Sequence, residues 1–572
     1  MALDRDLSVV ICGAAGLGVQ TVEDILVRVL KRSGYHVFAT REYMSRVRGG
    51  NNSTELRISS KPVDGLVDRI DLLVALSPGI RSNIQSRIDK DTVIVADGSV
   101  VTDQCLKEHL RFNDIPLTSM AKEAGSQLYS NVIAAGIVLG LTDSSEEEAV
   151  DFFRSRFGKK GDETVEQNAS ACKKGVTLGA EIRGRFPHLP SPSKGNTSDR
   201  KIVGGSEAVA MGAIAGGCDF VTAYPMAPAT GVLGFAAKNA LRLGIAVEQV
   251  EDEISAINMA VGASYAGASP LVTTSGGGFS LMYEGFSLAG VAETPLVVHL
   301  GQRPGPATGM ATRTEQADLN LAVHAGHGEF PRLVMAPGTL EEAFQLTAKA
   351  FQMVHRYQVQ SVILTDQYIL NTIKDVPTEA FSAPEPDKCI VKSNPKYRRY
   401  EDTADGISPR AIPGYGDGLV GCDSHEHDEE GHVFEDFELR VRMSDKRFKK
   451  ERWLKEDGVP GKLSGPDSWT RLIVCWGSTG PMVEEALEEL KLSDTALLRI
   501  RQIWPMMDQD LALIQSAKEL IVVEGNHDGQ LEGQIRKLTG KEADGHLRNY
   551  CGLQFSVEQV REGLSRITDQ EE

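Results

Sequence analysis

Three acids stand side by side in EQVEDEISAINMAVGASYAG, residues 248–267: Glu251, Asp252 and Glu253. They fall where a strand gives way to a helix, and the dipole at a helix N-terminus stabilises carboxylates there. An acid launched from such a helix into a packed interface is stripped of water, which raises its pKa. Ala260, Gly262, Ala263 and Gly267 permit that close packing. On the residues alone, capping suffices for all three acids. Arg303 and Arg313 flank the Gly/Pro/Thr-rich run GQRPGPATGMATRTEQADL (301–319), where Thr308 and Thr312 add hydroxyls. A guanidinium has the donor geometry for a carboxylate ligand; a surface ion pair is the plain alternative. TTSGGGFSLMYEG (273–285) joins a strand to a helix through three glycines. Its amides and hydroxyls suit a polar cofactor, or serve a tight turn only. YPMAPAT (224–230) follows a strand, and its two prolines fix φ into a rigid wall. Open α/β sheets bind ligands at that edge.

Other constellations are weaker. GAAGLG (13–18) sits between a strand and a helix as a dinucleotide turn does, with Glu42 as a candidate ribose acid. The glycine order is not the standard one, and a simple βα turn explains it equally well. SRVRGGNN (45–52) sets Arg46 and Arg48 beside two glycines, an anion-binding loop or a solvated turn. DSHEHDEEGHVFED (423–436) holds His425, His427 and His432 among acids in no standard zinc spacing, so a hydrogen-bonded loop is expected and no metal site. EGNHDGQLEGQ (524–534) is a polar turn after a strand, an interface as readily as a site.

The elements that must carry these residues alternate between strand and helix. Strands at Leu7–Cys12, Tyr35–Ala39, Leu72–Leu76 and Thr92–Ala96, with an amphipathic helix at Val19–Arg32, predict a parallel sheet covered on both faces. Pro187–Arg200 has no apolar period and reads as a linker. The alternation restarts with helix Gly205–Ala215, strand Phe220–Ala223, helix Gly231–Arg242, strand Ile245–Gln249, helix Ile254–Ala266 and strands Leu271–Thr274 and Pro295–Leu300. It resumes from Arg471 with strands Leu472–Trp476, Ala496–Arg499 and Glu519–Glu524.

The chain has 572 residues, 61 Lys+Arg against 79 Asp+Glu and a net charge of -18. That balance speaks against a nucleic-acid or anionic-membrane surface as its main business. Glycine contributes 57 residues, above the usual share of roughly 7%. No apolar run reaches the roughly 18 residues of a membrane span, Ile133–Leu141 being the nearest. The opening MALDRDLSVVICGAAG reads as a first strand, and the eight cysteines are scattered without a CxxC. Both features predict a cytoplasmic protein with no disulfide framework, zinc ribbon or iron–sulfur cluster of its own.

Taken in order, YPMAPAT, EDEISAINMAVGA, TSGGGFSLMYEG, GQRPGPATGMATRTEQADL, EHDEEGH and EGNHDGQL resemble the α subunit of the 2-oxoacid:ferredoxin oxidoreductases. GAAGLGVQ through SRVRGGNN resembles that family's γ domain, fused in front. The fusion looks most like the 2-oxoglutarate enzymes (2-oxoglutarate synthases). The resemblance implies an α/β fold of three domains: a γ-type domain at 1–190 and, after a linker at 191–200, a pyrimidine-type thiamine-diphosphate-binding domain at 201–376. An irregular connecting segment at 377–467 leads to a transketolase C-terminal-like domain at 468–572.

It further implies CoA-dependent oxidative decarboxylation of 2-oxoglutarate to succinyl-CoA with reduction of ferredoxin, reversible as CO2-fixing reductive carboxylation. Thiamine diphosphate is shared with a β subunit that carries Mg2+ and a [4Fe-4S] cluster, in an expected (αβ)2 heterotetramer. Glu253 matches the glutamate that hydrogen-bonds N1′ of the aminopyrimidine and favours its imino tautomer. Tyr224, Pro225, Ser275 and Gly276 fall in the cofactor motifs. Arg303 and Thr312 match the substrate-carboxylate positions, and Arg46 and Arg48 are candidates for the phosphates of CoA. The family's YPITP loop has Ala227 here in place of Thr, with Thr230 as a candidate replacement donor; TSGPG reads TSGGG, with Gly277. The competing readings are pyruvate or another 2-oxoacid as substrate, a non-catalytic paralogue, and an NAD-dependent dehydrogenase built on Gly13–Gly18.

Overall fold

The computed structural model describes residues 5–44 and 50–568. By internal contacts it divides into two units. One comprises residues 1–204, 371–378 and 556–558; the other comprises 205–370, 379–555 and 559–572.

The first unit is built on an eight-stranded sheet. From one edge it runs Phe112–Asp114, Val93–Ala96, Leu72–Ala75, Leu7–Ala14, Asn51–Ser59, His36–Glu42, Ile373–Pro377 and Arg200–Gly204. It is a mixed sheet, which corrects the expected parallel one: Asn51–Ser59 lies antiparallel between Leu7–Ala14 and His36–Glu42. The strand NNSTELRIS carries little apolar pattern because its polar side chains are buried against partners. Thr54 and Arg41 both bond the buried carboxylate of Glu23, Arg57 bonds Asp6, and Arg87 grips Glu55 through two nitrogens at 2.8 and 2.7 Å. Burial at such positions depends on satisfied polar groups, which period counting does not register. The insertion also separates the first two strands, so the adjacent parallel pair of a dinucleotide-binding βαβ unit is missing. Glu42 is held by Arg81. The NAD reading loses both of its supports.

Ile133–Leu141 lies in helix Tyr129–Leu141, which packs against helix Asp162–Arg185. A Cβ on Gly136, Gly140, Gly175 or Gly179 would sit 2.1–2.3 Å from a carbonyl of the opposing helix, so those glycines set the helix spacing. The apolar run is thus core, and no helix among the described residues is long and apolar enough to cross a membrane.

The second unit holds two sheets. The larger runs Gln502–Trp504, Arg332–Met335, Gln360–Asp366, Leu296–Gln302, Pro270–Thr274, Phe220–Ala223 and Ala246–Gln249. It is parallel except at Gln502–Trp504. The smaller runs Lys462–Ser464, Thr495–Ile500, Arg471–Trp476, Glu519–Glu524 and Gly545–Arg548. One apolar core, from Ile257, Phe279 and Phe286 to Trp476, Leu498 and Val522, joins the two sheets.

Residues 382–436 are largely irregular but firmly anchored. Lys446 and Lys450, from the helices Phe437–Phe448 and Lys450–Glu456, converge fully buried on the two carboxylate oxygens of Glu293. Arg399 donates to the Glu293 carbonyl and to Gln358. A lone buried charge is costly unless paired and hydrogen-bonded, so this cluster ties the irregular segment to the sheet domain.

Candidate active site

In the larger sheet the strand Phe220–Ala223 leads outward to Ala246–Gln249. The chain then returns to place Pro270–Thr274 on the opposite side of Phe220–Ala223. Strand order therefore reverses between Phe220–Ala223 and Pro270–Thr274, the kind of crevice where open α/β sheets bind ligands. YPMAPAT, the Glu251–Glu253 junction, SGGG and the Arg303 loop all leave their strands at this carboxyl edge.

The three acids separate. Asp252 is the N-cap of helix Glu253–Tyr265, its Oδ1 accepting from the Ser255 amide at 2.7 Å. Glu251 accepts from the Ser255 hydroxyl at 2.8 Å. Capping thus accounts for Asp252 and a side-chain bond for Glu251, leaving Glu253, which is 4% exposed and whose Oε1 has no hydrogen-bond partner among the described residues. An unsatisfied buried acceptor costs about 1–3 kcal/mol, more when charged.

Glu253 lies against the glycine turn. A Cβ on Gly278 would fall 2.8 Å from Oε1 and Cγ of Glu253 and 2.2 Å from Oγ1 of Thr274. Ser275, immediately before helix Gly276–Leu281, is fully buried, and its hydroxyl likewise has no partner among the described residues. Gly276 is pinned from another direction by Asp318, whose Oδ2 would lie 2.5 Å from its Cβ. Gly277 is exposed, and a Cβ there would meet nothing within 4 Å.

Asp318 is half-buried, and its shielded Oδ2 has no partner among the described residues. Burial and the nearby Glu315 push its carboxyl up to about 6, against the pull of Arg303. Its amide donates to Gln302 at 3.0 Å. Sequence reading missed this residue, although it lies inside the quoted run GQRPGPATGMATRTEQADL, because a lone acid in a polar loop carries no spacing signal.

Arg303 and Ala227 come together: Nη1 donates to the Ala227 carbonyl at 2.7 Å. Tyr224 and Thr230 are exposed, and Pro225 and Thr312 half-buried. Arg46 and Arg48 lie outside the described residues.

The remaining polar motifs have structural partners. The Gln316 amide donates to the Gly525 carbonyl and the Gly525 amide donates back to the Gln316 side-chain Oε1; Nε2 of Gln316 donates to the Trp476 carbonyl and Asn526 donates to the Gln316 carbonyl, so EGNHDGQ is stitched to the 314–318 loop. His427 is buried, its ring tilted 35° to that of Tyr400 with the centroids 3.9 Å apart, and Glu426 beside it pairs with Arg440 and Arg447. His425 bonds Asp423, and His432 sits by Asp428 and Glu430. No three metal-ligating side chains converge among the described residues. His299, fully buried between Thr273 and Thr365 at 2.8 Å each, is pushed down to about 3 by burial and cross-links strands as a neutral ring.

Two family models match in tandem. Residues 8–178 match "Pyruvate ferredoxin/flavodoxin oxidoreductase" and residues 211–446 match "Pyruvate flavodoxin/ferredoxin oxidoreductase, thiamine diP-bdg". The 2-oxoacid:ferredoxin oxidoreductase subunit alpha of Saccharolobus solfataricus is 30% identical over 99% of this chain and 98% of its own. The chain belongs to the 2-oxoacid:ferredoxin oxidoreductase α-subunit family. The 2-oxoglutarate synthase subunit KorA of Archaeoglobus fulgidus is 27% identical over 59% of this chain and 92% of its own. A solved structure, the 2-oxoglutarate:ferredoxin oxidoreductase from Magnetococcus marinus with 2-oxoglutarate, coenzyme A and succinyl-CoA bound, superposes with a TM-score of 0.91. It is 30% identical, over 98% of this chain and 99% of that one. As an α subunit of this family, the chain is part of an oxidoreductase and contains a thiamine-diphosphate-binding domain.

Proposed function

We propose that this chain is the fused γ–α subunit of a CoA-acylating 2-oxoglutarate:ferredoxin oxidoreductase, forming succinyl-CoA in one direction and carboxylating it reductively in the other. The observation that carries the proposal is the buried Oε1 of Glu253, without a partner among the described residues and packed against Gly278 of the turn that opens with the equally unpartnered Ser275 hydroxyl, at the switch point of the larger sheet. These two atoms suit the nitrogens of an aminopyrimidine, which both donates and accepts hydrogen bonds. Thiamine diphosphate, when bound, supplies the carbon nucleophile and the electron sink for loss of CO2.

Glu253 holds the proton shared between Oε1 and the ring nitrogen, a site that excludes water and so keeps that hydrogen bond strong. Ser275, Gly276, Tyr224 and Pro225 line the pyrimidine side, with the glycines allowing close approach. Arg303, with Thr312 and Thr230, binds the substrate carboxylate. The Ala227 carbonyl orients the Arg303 fork, a task that does not depend on the side chain at 227. Arg46 and Arg48 take the phosphates of CoA.

The domain assignment follows: 1–190 γ-type, 201–376 pyrimidine-type and 468–572 transketolase C-terminal-like. A β subunit brings Mg2+ and the [4Fe-4S] cluster, ferredoxin takes the electrons, and a cytoplasmic (αβ)2 heterotetramer is the working form.

The test is CoA-dependent reduction of a viologen dye by the chain co-expressed with its β partner, comparing 2-oxoglutarate, pyruvate and a branched 2-oxoacid without oxygen. A 2-oxoglutarate preference is expected. Inactivity towards all three, from a complex loaded with cluster and thiamine diphosphate, would sink the proposal.

A further inference from the structure

A cleft of about 200 Å3 in the first unit is lined by Arg28, Lys31, Arg32, Arg200, Lys201 and Ile202. Five of its six lining residues are cations and none is an acid, in a chain of net charge -18. Helix Val19–Arg32 starts at the carboxyl end of strand Leu7–Ala14 and doubles back. Its last turn therefore lies at the far end from the Gly13–Gly18 turn. The opposite wall is the first residues of Arg200–Gly204, the outermost strand of the sheet.

The surrounding acids account for three of the cations. Arg28 bonds Asp24 at 2.6 Å, Arg32 lies 3.6 Å from Glu148, and Arg200 is held by Asp375. Asp375 is itself buried and fixed by His36 at 2.8 Å and by the Val37 amide at 2.7 Å, so Arg200 is held in place before any ligand arrives. Lys31 and Lys201 have no ion pair among the described residues. The Lys31 ammonium is held below its usual range by burial and by Lys201, against the pull of Asp375 and Glu148.

Two plainer explanations cover only part of this. Cations in a last helical turn complement the helix dipole, which accounts for Lys31 and Arg32. Charges on an outer strand discourage edge-to-edge pairing, which accounts for Arg200 and Lys201. Neither explains why both sets close around one cavity.

We propose that this cleft is an anion-binding site for phosphate groups, with Lys31 and Lys201 as the pair that no ion pair among the described residues engages and Arg200 as the fixed donor. The cleft of about 200 Å3 has room for one or two phosphoryl groups. None of its lining residues belongs to the proposed active site, so it stands whether or not the proposed activity does.

Inorganic pyrophosphate and a nucleoside triphosphate are titrated calorimetrically into the assembled complex. The titrations are repeated with Lys31→Gln/Lys201→Gln and with the conservative Lys31→Arg/Lys201→Arg. Saturable binding is expected, weakened roughly tenfold or more by the glutamine pair and kept by the arginine pair, and falling with salt. Equal affinities assign the site to phosphate groups alone; a tighter triphosphate adds contacts outside the cleft. No saturable binding, or binding unchanged in a glutamine pair of normal melting temperature, overturns the proposal and leaves dipole and edge protection as the explanation.

Discussion

The Cβ that Gly278 lacks would stand 2.8 Å from Oε1 of Glu253. The acid and the glycine occupy one steric space, so the position of the carboxylate is set by the missing side chain. A methyl at 278 would also meet Oγ1 of Thr274 at 2.2 Å, from a strand residue with no room to retreat. Gly278→Ala is expected to displace Glu253 and to lower kcat by about tenfold or more, as sub-ångström to ångström misplacement does. Gly277→Ala, which meets nothing, leaves the fold unchanged. Turnover and melting temperature of both variants in the assembled enzyme decide this; equal losses at 277 and 278 would remove the steric argument.

Glu253→Gln keeps the shape and removes the titrating group. If the carboxyl serves as the proton-holding partner of the cofactor, the rate falls by about 10²–10⁴-fold with little change in the KM for 2-oxoglutarate. Stability should change little, since an amide of the same shape inherits the unpartnered site while losing both the buried charge and its attraction to the helix N-terminus. Retention of half the wild-type turnover would show that the acid has only a structural part.

Arg303 commits one nitrogen to the Ala227 carbonyl and keeps its remaining donors for a ligand. Lysine cannot form the planar fork and hold that carbonyl together. Arg303→Lys should therefore raise the KM for the 2-oxoacid about tenfold, near 1.4 kcal/mol, with a smaller effect on kcat. Ala227→Thr retains the carbonyl and should leave this KM within about threefold, well under the 1.4 kcal/mol of a tenfold change. A KM that moves with residue 227 and not with 303 would reverse the assignment.

Much of the site was legible because the motifs mark strand ends: YPMAPAT, the acid triplet, SGGG and the Arg303 loop fall at one sheet edge as their spacing predicts. What the sequence left open was which acid matters, since Glu251, Asp252 and Glu253 have the same local chemistry. Only the Ser255 contacts of the first two and the burial of the third divide them. Strand Asn51–Ser59 stayed hidden because its burial is bought with ion pairs and not with alternating apolar residues. Arg332–Met335 and Gln360–Asp366, by contrast, are apolar runs that could have been read as strands. The pairing of Lys446 and Lys450 with Glu293 spans more than 150 residues of chain, and nothing local announces it.

Asp318 supplies a prediction with a sign. Its carboxyl titrates near 6 in the folded chain against 3.8 for the ordinary group, raised by burial and Glu315. Between those values the folded chain binds the proton more tightly than the unfolded one, so this group costs stability as pH rises from about 4 to about 6. Above that window the folded state carries the full cost of a poorly solvated carboxylate pressed on Gly276. Asp318→Asn removes the charge and keeps the shape. The variant should melt above the wild type at pH 7, and the difference should shrink towards zero by pH 4. Calorimetric melting of both proteins across that range measures it. A difference that does not vary with pH would mean that Asp318 is solvated like any surface acid, and that its contact with Gly276 has no electrostatic consequence.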